Sequence, residues 1–191
     1  MKNQFSEITT PPPAAIQRVS SELKWAGNIG FWVQLVLGVV SLVTVLFSAP
    51  SLINSENTIT QGTGFGVFSA ICGLIVLAVG IYFSFRYIAI ARLLQKANPA
   101  ERPKKVDTLK IIRIGLMVNL LGLLLTIIGA EAIVGIVLLK SLARPQLALG
   151  SDPREFVNSI DLLVIQANTN TIAAHFAGIV SSLSLLNRIT K

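Results

Sequence analysis

The chain has 191 residues, 52% hydrophobic and 13% charged, with a formal net charge of +7 and a mean hydropathy of +0.70. A soluble domain carries about 25% charged residues. The shortfall, gathered into long uncharged apolar runs, excludes an ordinary water-soluble globule and points to a membrane protein. The cations do not point to nucleic acid: eight of the 16 Lys and Arg crowd between Arg86 and Arg113, beside apolar runs and without aromatic interleaving or zinc-finger spacing.

Residues 1–13 are polar and end in Pro11-Pro12-Pro13, so a flexible or extended arm is expected there. Everything from 14 to 191 is expected to be one membrane domain. From Ala14 to Trp25, the residues Ile16, Val19 and Leu23 fall at helical spacing among Arg18, Glu22 and Lys24. This predicts a short amphipathic helix on the membrane surface, with Trp25 at headgroup level. The first span is expected over about 29–48, a length that matches a ~30 Å hydrocarbon core. Gln34 is its main polar interruption, and Ala49-Pro50 is expected to end it.

A loop without Lys or Arg, Ser51 to Gly64, leads to a second span over about 65–87. Tyr82, Phe83, Phe85 and Tyr87 are expected to form an aromatic belt there, with Arg86 snorkelling beside them. Asn98-Pro99 and Arg102-Pro103 mark turns in the basic loop that follows. A third span is expected over about 114–139. Asp152-Pro153-Arg154-Glu155 has the form of a helix start, and a fourth span over about 160–186 carries Asp161 in its first turn, where a carboxylate suits the helix dipole. The expected fold class is all-α, a polytopic bundle of four transmembrane helices. Single Cys72 excludes an intramolecular disulfide.

Lys and Arg number three before the first span, none in the first loop, eight in the second, three in the third and two in the tail. The positive-inside rule then places both termini and the 86–113 loop in the cytoplasm. The expected site is the plasma (inner) or thylakoid membrane.

No P-loop, G-x-S-x-G, H-E-x-x-H or nucleotide fingerprint is present, so neither an enzyme nor a cofactor is expected. Gly62-x-Gly64-x-Gly66 does not follow a strand and reads as a glycine-rich helix entry. The polar residues inside the spans are the candidates. Glu131 lies about eight residues, ~12 Å of helix, from the outer end of span three. A charged, unpaired carboxylate costs at least ~2.5 kcal/mol at such depth, so it is either a pathway residue or a hydrogen-bonded helix contact. Gly115, Asn119, Gly122, Thr126 and Gly129 fall within about 40° of a common direction at 100° per residue, a small polar stripe suited to close packing. Glu131 points the other way, toward another helix of the bundle or another subunit.

Span four is the most polar. Asn168, Thr171, His175, Gly178 and Ser182 line one face, with Gln166, Asn170 and Ala174 on an adjacent strip. Antiparallel packing sets Glu131 level with Gln166 to Asn170, and His175 deeper, near Thr126 or Asn119. His175 can serve as a metal ligand or proton shuttle, or as a neutral ring bonded across helices. One histidine and one carboxylate do not make a closed metal site.

These residues resemble a known family. Phe31-Trp32-Val33-Gln34-Leu35-Val36, Met117-Val118-Asn119, Val134-Gly135 with Lys140, and the run from Asp161 through Gln166-Ala167, Asn170-Thr171, His175-Phe176, Gly178 and Ser182-Leu183 resemble the DUF3611-type family of cyanobacteria and plastids. That family includes the twenty-one-kilodalton subunit of the chloroplast inner-envelope translocon, also called permease in chloroplasts. The resemblance covers about residues 15–190 and implies a four-helix membrane protein with no catalytic motif. It implies two roles, a part in protein import and iron transport. The chain lacks the plant transit extension and so looks cyanobacterial, and the plant members carry an amide where Glu131 stands and a hydroxyl where Asn168 stands. The expected function is a non-catalytic subunit of a translocation or assembly complex, the alternative an iron or divalent-metal permease. Expected partners are the lipid bilayer and either further copies or other membrane proteins, with iron as the permease's substrate.

Overall fold

A bilayer offers backbone amides no water, so an apolar run entering it must close its hydrogen bonds within itself as helix. The computed structural model describes residues 13–53, 61–96, 98–143, 157 and 159–190. They form four long helices: α1 (Ala14–Ile53), α2 (Gln61–Leu94), α3 (Lys105–Ala143) and α4 (Ser159–Thr190). All four have the length and composition to cross a membrane, and no strand occurs among the described residues. Helices of 32 to 40 residues are roughly 50–60 Å long at 1.5 Å per residue, well beyond the ~30 Å hydrocarbon core. Hydropathy marks only their lipid-facing middles. The charged flanks stay helical because neighbouring helices pack on them.

Successive helices run antiparallel. Gly38 meets Leu77, Gly73 meets Thr126, Lys140 pairs with Asp161, and Ser41 bonds Thr171 where α4 returns to α1. The result is an up-down four-helix ring in which α2 and α4 also touch across a diagonal. We call the end where α1 begins and α4 stops the near end. Its core is Leu23, Ala26, Tyr87, Ile90, Ala91, Leu94, Ile112, Leu185 and Ile189. Val67, Ile133 and Val164 form a smaller cluster toward the far end. Trp32, Phe47, Phe68 and Phe176 point outward, as they can when lipid is as apolar as the core.

Three expectations change in detail. The helix over Ala14–Trp25 is continuous with α1 rather than separate, and Ile16 and Val19 pack on the near-end core instead of a lipid surface. The helix also runs past Pro50 to Ile53. Tyr87 leaves the aromatic belt: it is buried, with its hydroxyl 3.1 Å from Ser182 Oγ, because burying a phenol ring is favourable once its hydroxyl has a partner. Tyr82 and Phe85 remain exposed, with the Arg86 guanidinium 6.0 Å from the Tyr82 ring centre. The arm over 1–12 and the Asp152–Glu155 helix start lie outside the described residues.

The α2–α3 link is a single 3-10 turn, Pro99–Glu101, in which Asn98 Oδ1 accepts the Ala100 N–H at 3.0 Å. Lys96 pairs with Glu101 beside it and holds that exposed carboxyl below the usual carboxylate range. Such a surface pair adds little stability.

Candidate functional site

The polar residues of the spans meet along the bundle axis. At mid-bundle, Ser84 of α2 donates to Gln34 Oε1 of α1 at 2.8 Å, and Gln34 Nε2 donates to Asn119 Oδ1 of α3 at 2.7 Å. Asn119 Nδ2 donates to Gly115 O at 2.9 Å. His175 of α4 closes the set, with Nδ1 at 3.2 Å from Asn119 Oδ1 and Nε2 at 3.3 Å from Gly73 O of α2. All four helices are thus joined through one cluster of fully buried side chains, each with a relative exposure of 2% or less. Unpaired polar groups cost several kcal/mol in hydrocarbon, so Ser84, Gln34 and Asn119 pair with one another. A neutral His175 ring has one N–H and donates to one of the two oxygens it faces.

Glycines make the room. A Cβ on Gly80 would sit 2.8 Å from Asn119 Oδ1 and 3.2 Å from Gln34 Nε2, and one on Gly178 would sit 2.6 Å from Asn119 Cγ. The Gln34–Asn119 pair therefore occupies the space left by two missing side chains. Gly122 does the same for the His175 ring, whose Nδ1 would lie 2.8 Å from an added Cβ. Gly115 faces Tyr87, and Gly129 faces Ser69, which donates to Leu125 O at 2.9 Å. Thr126 donates to Gly122 O at 2.7 Å and lies against Gly73.

Further contacts extend this ladder. Ser41 Oγ lies 2.6 Å from Ala167 O and 2.7 Å from Thr171 Oγ1. Asn168 is buried and donates to Val164 O at 3.1 Å and Gly66 O at 3.4 Å, while its Oδ1 has no partner. At the far end, Lys140 donates to Asp161 at 2.9 Å, with the carboxylate side chain only 2% exposed. Gln166 and Glu131 are exposed and Asn170 half-buried. Gln166 donates to Asn170 Oδ1 at 3.2 Å, and Asn170 Nδ2 has no partner.

The candidate residues therefore fall into two groups. His175, Asn168 and the residues Gly115, Asn119, Gly122, Thr126, Gly129 and Gly178 converge inside the bundle. Glu131 and Gln166 face outward, with half-buried Asn170 bonded to Gln166. Both His175 nitrogens are directed at protein oxygens, so the one lone pair of the neutral ring faces protein and not an open cavity. No cluster of three or more His, Cys, Asp or Glu suited to a metal occurs among the described residues. The Gln34–Ser84 arm and the Lys140–Asp161 pair were not singled out as contacts from sequence. Gln34 stood out only as a polar interruption, and the ion pair follows only once Lys140 and Asp161 are seen at the same level on antiparallel neighbours.

Comparison with known proteins gives a match over residues 13–190 to a family described as protein of unknown function, DUF3611. The chain is 33% identical over 180 residues to Protein TIC 21, chloroplastic, of Arabidopsis thaliana. The alignment covers 92% of this chain and 59% of that relative, so the chain spans about three fifths of its length. No solved structure matches.

Proposed function

This chain belongs to the DUF3611 family, and on that footing we propose that it is a non-catalytic, integral membrane subunit of a complex that moves or assembles other proteins. Its likeness to the chloroplast protein TIC 21, taken with the resemblance of its motifs to a family that includes a translocon subunit, supports the class. The observation that carries the reading is the interior: on the polar face of α4, Thr171, His175 and Ser182 are taken up by contacts to α1, α2 and α3. Asn168 on the same face keeps an unpartnered oxygen. A pathway needs polar groups free to exchange partners with a moving ion. Here Gln34, Asn119, His175, Thr171 and Ser182 hold helices together, and glycines close the space around them. Purified protein reconstituted alone into liposomes is expected to pass no ferrous or other divalent ion above the rate of empty vesicles. Saturable uptake lost in a well-folded His175→Ala protein would reverse the assignment.

The second reading, a divalent-metal or iron permease, draws on Glu131, Gln166 and Asn170. They lie on outward or half-buried surfaces, so their pathway would run between subunits rather than through one bundle.

On this reading the membrane is a cyanobacterial plasma or thylakoid membrane with the near end cytoplasmic. By position in the sequence, thirteen Lys and Arg belong to that side and three to the other, an asymmetry that supports this orientation. Single cysteines at Ser55, which lies outside the described residues, and at Lys105 are expected to label from opposite sides. Labelling of both from one side contradicts this topology.

A further inference from the structure

At the near end, the first turns of α1, the end of α2, the start of α3 and the end of α4 surround a cavity of about 350 Å³. Ile16, Val19, Leu94 and Ile189 form its apolar wall. Val19 lies about ten residues, ~15 Å of helix, before the first span, so the cavity stands in water beyond the hydrocarbon. Its polar groups are gathered on one side, where the α2–α3 link meets α3. Lys105 is exposed there and has no ion-pair partner among the described residues. Arg102 lines the same side, its Nε donating to Lys96 O at 2.9 Å. Thr108 is only 3% exposed and lines the cavity, and its hydroxyl has no hydrogen-bond partner among the described residues. A buried hydroxyl ordinarily has one. Thr108 N–H closes onto Lys104 O at 3.1 Å, so the N–H groups of Lys105 to Asp107 have no acceptor within the helix and stand at its positive dipole end. The nearby carboxylates do not line the cavity: Asp107 is exposed, and Glu101 is paired with Lys96.

We propose that this cavity binds a medium-chain fatty acid from the water at the near end. Its carboxylate sits between Lys105 and the Thr108 hydroxyl, which donates to it, and its chain lies against Ile16, Val19, Leu94 and Ile189. Two cations and a helix start on one side select an anionic head. The opposite wall selects an acyl chain over a peptide, whose backbone N–H and C=O groups would each need a partner there. A bilayer phospholipid would have to withdraw its tails from the hydrocarbon to reach the cavity. At roughly 30 Å³ for each water-sized group, the space suits about a dozen such groups, the size of dodecanoate. The site is separate from the interior cluster and stands whether or not the subunit reading holds.

The test places the full chain in phosphatidylcholine nanodiscs, with empty nanodiscs subtracted, and adds a dodecanoate analogue carrying a photoreactive diazirine on its chain. Mass spectrometry is expected to find the label at Val19, Leu94 or Ile189. Unlabelled dodecanoate should displace it, and dodecanol, which lacks the charge, should not. Lys105→Glu and Thr108→Val should each weaken dodecanoate competition at least about tenfold, or ~1.4 kcal/mol, at unchanged Tm. Lys110→Glu, the same charge change at an exposed position outside the cavity, should leave competition as it is. Label spread evenly along the lipid-facing helices overturns the proposal, as does equal competition by dodecanol or undiminished affinity in Lys105→Glu. So does a disulfide between Val19→Cys and Phe5→Cys, the latter outside the described residues, that forms on a Cys72→Ala background and that dodecanoate fails to diminish. The cavity would then hold the chain's own amino-terminal segment.

Discussion

Replacing Gly122 by leucine is expected to leave little folded protein in the membrane. The position of an added Cβ falls against the His175 ring, 2.8 Å from Nδ1 and nearer still to the other side of the ring. The ring has nowhere to go, since its nitrogens lie against Asn119 Oδ1 and Gly73 O, and α4 cannot recede without parting Ser41 from Thr171. Overpacking a close-packed interior costs about 1–3 kcal/mol or more, and a branched side chain at a glycine contact belongs at the upper end. Gly135→Ala supplies the control, because nothing lies near its added Cβ. Thermal unfolding in detergent should show a large fall in Tm for Gly122→Leu and none for Gly135→Ala. Equal Tm values would mean that the Gly122 face does not hold the helices together.

Asn119→Leu is expected to have the next largest effect. Leucine shares asparagine's branching but is bulkier, so the change removes polarity and also crowds the space beside Gly80 and Gly178. Gln34 Nε2 loses its acceptor on α3, His175 Nδ1 loses its neighbour, and both side chains stay buried. Interhelical hydrogen bonds in membranes average about 0.6 kcal/mol, and a stranded buried donor adds about 1–3 kcal/mol, so a loss of about 3 kcal/mol is expected. Gln166→Leu, at an exposed amide, should fold normally. The same logic separates the two functional readings in cells. A structural His175 makes His175→Ala lower the abundance of assembled protein, and a pathway His175 makes it lower flux at unchanged abundance.

The four helices were legible in the sequence because lipid forces apolar runs of about 20 residues to be helical. Their ends were not legible. Residues such as Leu23 and Ile189 sit beyond the hydrophobic windows yet pack in the near-end core, and hydropathy does not register packing outside the lipid. Reckoning depth along antiparallel helices set His175 level with Thr126 and Asn119, and its ring lies against Asn119. The angular spacing of Gly115, Asn119, Gly122, Thr126 and Gly129 likewise turned all five to one side, and all five are buried. Tyr87 misled because an aromatic near a span end reads the same whether it faces lipid or core, and only its Ser182 contact decides. The part taken by Gln34 and Ser84 was hidden for a similar reason: one amide and one serine on two apolar helices carry no spacing signal until the helices are docked.

The central claim is that the polar residues within the bundle join helices and do not line a passage. Cysteine accessibility tests it most directly. Ser41→Cys and Ser182→Cys change one atom each, on a Cys72→Ala background, and both positions are buried where α4 meets its neighbours. Membrane-impermeant methanethiosulfonate reagents applied from either side of intact proteoliposomes should modify neither, while Lys105→Cys at the near end reacts from one side. Modification of either buried cysteine, slowed by added ferrous or another divalent ion, would show a water-filled route through the bundle and contradict the account.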